Sequence, residues 1–69
     1  MHQQIGEIIK ERRNLLSLTQ EDLAAMAGVA LRTIKAIEVG KGNPALQTLQ
    51  KIGEVLGMEV RLEVRKPNQ

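Results

Sequence analysis

Apolar residues recur every three or four positions along most of the chain, which is the spacing of helices that bury one face. The first such stretch runs from Gln3 to about Leu16, and charged residues separate its apolar positions, which are Ile5, Ile8, Ile9, Leu15 and Leu16. The pattern predicts a helix whose inner stripe contains these residues. Gly6 weakens that helix slightly, since glycine costs roughly 1 kcal/mol inside a helix.

Two shorter helices with a sharp turn between them are predicted from Thr19 to Glu38. Thr19 is a suitable N-cap, and Asp22 follows at the position that completes a short capping box. Gly28 comes where a helix end needs a left-handed backbone. Ala24 is small enough for two helices to cross closely, and branched aliphatics follow it ten and thirteen residues later. This spacing is typical of a helix-turn-helix motif.

A fourth helix is predicted from Ala45 to Leu56, with Gly57 ending it. Its apolar positions again repeat at three and four residues: Leu46, Leu49, Ile52, Val55 and Leu56. The stretch before it, residues 39–44, contains two glycines and a proline and is predicted to be a loop. A nucleotide-phosphate cradle at these glycines is disfavoured, because no strand precedes them and a third glycine is missing.

Residues 58–65 alternate between apolar and charged side chains, which predicts a strand. A strand needs a partner edge, and the chain offers no second strand. We therefore expect the same strand of a second copy to pair with it through Val60, Arg61, Leu62, Glu63 and Val64. The alternative is a tail packed loosely on the helices.

The charged residues of the segment favour one register for such an antiparallel pair of strands. With a twofold axis at Leu62, Glu59 faces Arg65, Arg61 faces Glu63, and Val60 faces Val64. An axis at Arg61 would instead place like charges opposite each other, which destabilises a sheet. An axis at Val60 also pairs opposite signs but leaves residues 63–65 with little to face, so it ranks second.

Composition excludes several functional classes. The chain has 69 residues and is 42% hydrophobic, which indicates one small folded domain. It contains no aromatic residue, which argues against single-strand nucleic-acid modules that stack bases on aromatic rings. Without cysteine it has no disulfide or thiolate metal site. With neither a membrane span nor a secretory signal, a cytoplasmic location is expected.

Catalysis is not expected either. The single histidine, His2, lies beside the first residue, and no serine is flanked by a usable base. Glu7 and Glu11 share a helix face, but Lys10 lies between them and the face is a solvated surface. We predict that the protein is not an enzyme and needs neither a cofactor nor a metal.

The distribution of charge is more informative than the net charge of +2. Residues 17–30 carry two acidic residues and no basic one, whereas residues 31–44 carry Arg32, Lys35 and Lys41 against Glu38 alone. Positive charge therefore collects on and after the second helix of the motif, where a polyanion would bind.

The chain resembles the Xre/Cro and lambda-type repressors. The resemblance covers about residues 5–57 and is carried by Leu18-Thr19-Gln20-Glu21, Leu23-Ala24, Ala27-Gly28-Val29, Ile34, Ile37-Glu38, Gly40, Asn43-Pro44, Thr48-Leu49, Ile52 and Leu56-Gly57. It implies an all-α, four-helix DNA-binding domain over residues 1–57. Residues 58–66 would form a dimerisation strand and 67–69 a tail, an extension that resembles the one in antitoxin-type repressors.

A helix in the major groove presents its N-terminal residues to the bases. This predicts base contacts from Ala30, Leu31, Arg32, Thr33 and Ala36. The predicted phosphate contacts are Gln20, which the resemblance implies, together with Lys35, Gly40, Lys41 and Asn43, and the backbone amides near Gly40 and Gly42. The resemblance also implies a structural ion pair between Arg13 and Glu38, with Arg12 as the alternative partner. Many relatives are polar where this chain has Ala30 and Leu31.

These observations predict a sequence-specific regulator of double-stranded DNA, most simply a homodimeric repressor on an inverted-repeat operator. The resemblance to antitoxins adds a toxin protein as a further partner. The alternative function is a protein-interaction module that has kept the fold without specific operator binding, which the few polar residues on the reading face would allow.

Overall fold

The computed structural model describes residues 2–65, and four helices account for most of them. They are α1 (His2–Leu15), α2 (Gln20–Ala27), α3 (Leu31–Glu38) and α4 (Leu46–Leu56). The predicted all-α, four-helix fold is confirmed. The boundaries of α1 and α4 differ from the predicted ones by about one residue, and Ala45 is the N-cap of α4.

The core is aliphatic and draws on all four helices. Its buried hydrophobic residues are Ile9, Leu23, Ala24, Ile34, Ile37, Ile52 and Leu56. Leu23, Ile34, Ile52 and Leu56 have less than 2% of their surface exposed. Burying each such side chain contributes about 1.5–3 kcal/mol. Leu18 and Val29, in the connections before and after α2, pack against this cluster and close it.

Both ends of α2 are formed as predicted, by a capping box at its start and a left-handed glycine at its end. The Asp22 amide donates to Thr19 Oγ1 and the Thr19 amide donates to Asp22 Oδ2, both at 2.9 Å. Gly28 ends the helix with a φ of 68°, a left-handed conformation that costs glycine little. The Val29 amide then donates to Ala24 O at 3.0 Å. Only Gly28, Val29 and Ala30 separate the two helices.

Gly6 has a different role from the weak helix position that the sequence suggests. It is buried, and a Cβ added there would overlap the carbonyl oxygen of Ile37 and lie 3.0 Å from that of Glu38. The missing side chain therefore allows α1 to cross α3 in direct backbone contact.

The prediction that Leu15 and Leu16 belong to the inner stripe of α1 is wrong. Leu15 is 72% exposed and Leu16 is 42% exposed, whereas Ile9 is buried. The inward position of the last turn of α1 is occupied by Arg13, which is 8% exposed. Ile8 on α1 and Leu46 on α4 are also largely exposed, although both fit the apolar repeat.

The C-terminal segment, residues 58–65, forms neither a helix nor a strand in the single chain. The Met58 amide donates to Gly53 O at 2.8 Å, so the segment leaves the end of α4 at a defined angle. The strand predicted there is not shown, because a strand requires hydrogen bonds to a neighbouring edge. Its pairing through Val60, Arg61, Leu62, Glu63 and Val64 stays a prediction, and Lys66 and the 67–69 tail lie outside the described residues.

Candidate nucleic-acid interface

The helix α3 presents one face to the core and the opposite face to solvent. Ile34, Ile37 and Glu38 are buried, while Arg32 and Lys35 are exposed. Among the predicted base-contacting residues, Ala36 lies about one turn after both Arg32 and Thr33, at spacings of four and three residues, so it is a neighbour of each on the helix surface. The remaining two, Ala30 and Leu31, lie at its start.

The exposure of these five residues varies. Ala30 and Arg32 are exposed, whereas Leu31, Thr33 and Ala36 are half-buried. Ala30 is the N-cap of α3 and makes no side-chain capping bond, and its carbonyl accepts the Thr33 amide at 3.0 Å. The start of α3 therefore presents apolar Ala30 and Leu31 beside Arg32, which is the longest polar side chain of the first turn.

The predicted phosphate-contacting residues lie on two elements and on the loop after α3. Gln20 is the first residue of α2, and Lys35 is in the last turn of α3. Lys41 and Asn43, in the loop, are exposed. Gly40 has a φ of 78° and its amide donates to Ile37 O at 3.0 Å, so a phosphate contact through that amide would have to replace this bond. The loop is instead held to the end of α3, where the Lys41 amide donates to Ala36 O at 2.9 Å.

A buried ion pair connects α1 to the end of α3. Arg13 Nε donates to Glu38 Oε2 at 2.7 Å and Arg13 Nη2 donates to Oε1 at 2.9 Å. The side chains are 10% and 2% exposed. The hydrogen bond to Glu38 raises the pKa of Arg13 above its ordinary value, which favours the charged guanidinium. A bidentate pair of this kind fixes orientation as well as distance.

The choice between Arg13 and Arg12 is decided by this geometry. Arg12 Nε donates instead to the backbone carbonyl of Leu56, the last residue of α4, at 2.8 Å. Arg13 Nη1 donates to Leu18 O at 2.7 Å, so the same guanidinium also ties down the connection between α1 and α2. The two neighbouring arginines thus hold different helices against α1. The contact from Arg12 to α4 has no signal in the sequence, because any arginine on an amphipathic helix has the same local pattern.

Gln20 connects the two helices of the motif. Its Nε2 donates to Glu38 Oε1 at 3.1 Å, which joins the first residue of α2 to the last residue of α3. An amide nitrogen carries two hydrogens, and this bond uses one of them. The Gln20 side chain therefore braces α3, and its phosphate contact stays a prediction.

The ion pair also determines the charge that α3 presents to solvent. Glu38 is the only acidic residue in residues 31–44, and its carboxylate is buried and compensated by Arg13. Arg32, Lys35 and Lys41 are all exposed. The solvent side of α3 and its following loop is consequently more positive than the residue count suggests, and it is suited to a polyanion.

No helix among residues 2–65 is long and apolar enough to cross a membrane. Among the side chains that the structure describes, those of residues 4–65, no group of three or more histidine, cysteine, aspartate or glutamate residues is placed to hold a metal ion.

Comparison with known proteins agrees with this geometry. The sequence model of the Helix-turn-helix family matches residues 9–62. An uncharacterized HTH-type transcriptional regulator of Methanothermobacter thermautotrophicus is 44% identical over 52 residues, which cover 75% of each chain. A second, from Methanocaldococcus jannaschii, is 46% identical over 52 residues, covering 75% of this chain and 79% of that one.

Among solved structures, the restriction-modification controller protein C.AhdI from Aeromonas hydrophila superposes with a TM-score of 0.80 at 28% sequence identity. The superposition covers 84% of this chain and 88% of the controller protein. With the family match over residues 9–62, it places the motif formed by α2 and α3 in a known class of DNA-binding folds. The chain belongs to the helix-turn-helix family, of the Xre and lambda-repressor type, and is a DNA-binding transcriptional regulator.

Proposed function

We propose that the protein is a dimeric repressor that recognises an inverted-repeat operator in double-stranded DNA by placing α3 in the major groove. The observation that carries the proposal is the outer side of α3, where Arg32 and Lys35 are exposed while the acidic Glu38 is buried. A helix with that charge distribution fits the groove between two phosphate backbones.

Base recognition in this proposal depends mainly on Arg32. Its guanidinium can donate two parallel hydrogen bonds to O6 and N7 of guanine. Thr33 adds a hydroxyl, and Ala30, Leu31 and Ala36 supply the apolar surface that contacts thymine methyl groups. We therefore expect a short operator half-site in which one guanine contributes most of the hydrogen-bonded discrimination.

Phosphate contacts position the helix. Lys35 and Lys41 supply charge on either side of the end of α3, Asn43 supplies an amide from the loop, and Gln20 supplies one from the start of α2. Contacts of this kind fix register without reading sequence. Gly40 contributes through the loop conformation that presents Lys41, since its own amide donates to Ile37 O.

Dimerisation in this proposal uses the C-terminal segments, paired antiparallel about Leu62. The register is supported by charge, because Glu59 then faces Arg65 and Arg61 faces Glu63. Opposite charges directly across a sheet contribute roughly 0.2–1 kcal/mol each. Two reading helices about 34–36 Å apart would enter successive major-groove turns of one DNA face.

The proposal includes neither catalysis nor a cofactor, and it places the protein in the cytoplasm. A toxin partner is not part of it, since the names of the relatives given above refer only to regulation. The competing function is an interaction module, which Ala30 and Leu31 favour because neither side chain can read a base by hydrogen bonding.

Selection of binding sites from a pool of random duplexes tests the proposal. We expect enrichment of an inverted repeat whose half-sites are about 10 bp apart or a multiple of that distance. Titration of the selected site at two salt concentrations should then show a steep loss of affinity as salt rises, because bound phosphates release counterions. Failure to enrich any repeat, with weak binding at both salt concentrations, would favour the interaction module.

A further inference from the structure

An apolar groove lies on the side of the molecule formed by α1, α4 and the start of the C-terminal segment. Its volume is about 320 Å³, and its lining includes Ile5, Ile8, Leu49, Ile52, Met58 and Val60. Ile8 is 43% exposed and Val60 is 41% exposed at this groove. Because this groove is still open to solvent, an apolar group that covered its apolar side chains would remove more apolar surface from water and stabilise the protein.

The exposure of the C-terminal segment changes in a regular way along its apolar face. Met58 is half-buried and packs against the core, Val60 is 41% exposed, and Leu62 and Val64 are 102% and 95% exposed. The apolar face thus begins in the groove and continues into solvent with two uncovered aliphatic side chains. Among the residues that the structure describes, no apolar neighbour closes the groove or covers these two side chains.

The start of the segment lines two concavities that differ in polarity. Ile8 of α1 is among the residues that line the apolar groove. The second concavity is lined by Gln50 and Glu54 of α4, and Met58 and Val60 line both. An added strand whose inner face is aliphatic matches the apolar groove, whereas in the second concavity it would place apolar side chains near the Glu54 carboxylate.

We propose that a second copy of this chain closes the groove, with the partner subunit's Val64 and Leu62 lying against Ile8 and Val60. The proposal rests on the dimer of the preceding section. In the register about Leu62, Val60 faces the partner subunit's Val64, with the Cβ atoms roughly 4.5–5.5 Å apart. Since Val60 lines the groove, the valine facing it enters the same groove. Each groove is then completed by the other chain, and the two domains share one core.

Cross-linking of mixed single variants tests this arrangement, because the natural chain contains no cysteine. Ile8→Cys and Val64→Cys proteins, one of them labelled with ¹⁵N, are mixed and treated with a short bifunctional maleimide. A product of mixed isotopic mass can arise only between chains. The matched control replaces Ile8→Cys by Leu15→Cys, on the same helix but outside the groove and 72% exposed.

We expect severalfold more mixed product from the Ile8 and Val64 pair than from the Leu15 and Val64 pair. Equal yields, or no mixed product, would overturn the proposal. As a second measurement, Ile8→Gln should raise the dimer dissociation constant about tenfold or more, because an apolar side chain is lost from each groove. Leu15→Gln should leave that constant nearly unchanged, and both variants should keep the helical circular dichroism of the parent.

The proposed repressor function and the groove can fail separately. Suppose that Leu62→Cys cross-links to its own copy while the Ile8 and Val64 pair does not. The paired segments are then real, and the closed groove is overturned. If the Ile8 and Val64 pair cross-links but site selection finds no operator, the groove is supported and the repressor function fails.

Discussion

Glu38 accepts hydrogen bonds from both Arg13 and Gln20, and its surroundings determine what α3 can present to DNA. Removing one partner of a buried ion pair leaves an uncompensated charge, which costs about 3–5 kcal/mol. The total free energy of unfolding of a small domain is only a few times this cost. The pair is therefore as important for the folded state as a large core side chain.

Arg13→Met should lower the stability to unfolding by about 3–5 kcal/mol, measured by urea denaturation. Arg12→Met is the matched control, since it loses one bond to a backbone carbonyl and should cost about 1–2 kcal/mol. The double variant Arg13→Met with Glu38→Leu should recover much of the loss, because neither charge is then left alone. Equal urea midpoints for the Arg12 and Arg13 variants would show that the ion pair is not the important contact.

Arg32 and Lys41 are both exposed and basic, but their substitutions should affect DNA binding differently. Arg32→Ala should cost about 1–3 kcal/mol on the selected operator and relax the preference at one base pair. Lys41→Ala should weaken operator and random duplex alike and reduce the slope of affinity against salt by about one unit. Equal losses on both DNAs for Arg32→Ala would remove its predicted base contact.

At the scale of the elements, close helix approach and sharp turns depend on glycines with different roles. Gly6 lies where α1 meets the backbone of α3, and its own backbone is helical. Gly28 has a left-handed φ of 68°, and a Cβ there would meet nothing within 4 Å. At Gly6 there is no room for a side chain, whereas at Gly28 there is room but the backbone conformation is one that other residues rarely adopt.

Gly6→Ala should therefore destabilise the protein more than Gly28→Ala does. A left-handed alanine costs roughly 1–2 kcal/mol, whereas at Gly6 the helices must move apart and disturb the core around Ile37. Thermal unfolding followed by circular dichroism compares the two variants directly. If Gly6→Ala raises the melting temperature, as helix propensity alone predicts, the close crossing is not required.

The cap of α2 should make part of the stability depend on pH. Hydrogen bonds from the Thr19 amide and hydroxyl lower the pKa of Asp22. A carboxyl whose pKa is lower in the folded state stabilises it above the unfolded pKa of about 3.9 and loses that contribution as pH falls through the lowered value. Asp22→Asn should therefore reduce the drop in melting temperature between about pH 5 and pH 2. Glu11→Gln, on the exposed side of α1, is the control and should follow the parent protein.

At the scale of the whole molecule, residues 60–65 contribute little to the single domain and much to the proposed dimer. Leu62 and Val64 are fully exposed, whereas Met58 is held at the end of α4 by its bond to Gly53. A chain ending at Glu59 should therefore remain helical, with a melting temperature near that of the parent protein at low concentration. It should sediment as a monomer and bind the operator more weakly. A truncated chain that stays dimeric would place the dimer interface elsewhere.

Local rules were sufficient to predict the four helices and the ends of α2. Thr19, Asp22 and Gly28 act on backbone groups within a few residues, and the apolar repeat that identifies a helix is likewise a short-range pattern. The sequence therefore determined the motif, the position of α3 and the charge around it. It also determined the alternation of residues 58–65.

The tertiary structure decided which residues each of these side chains contacts. Arg12 and Arg13 are alike in sequence, and only the packing of α1 places one against Glu38 and the other against Leu56. Gly6 is a poor helix residue until α3 lies across it, and Leu15 fits the apolar repeat but faces solvent. Such outcomes depend on contacts between residues far apart in the chain, which no short-range rule contains. In the proposed dimer, the same reasoning leaves it to the second chain whether residues 58–65 become a strand.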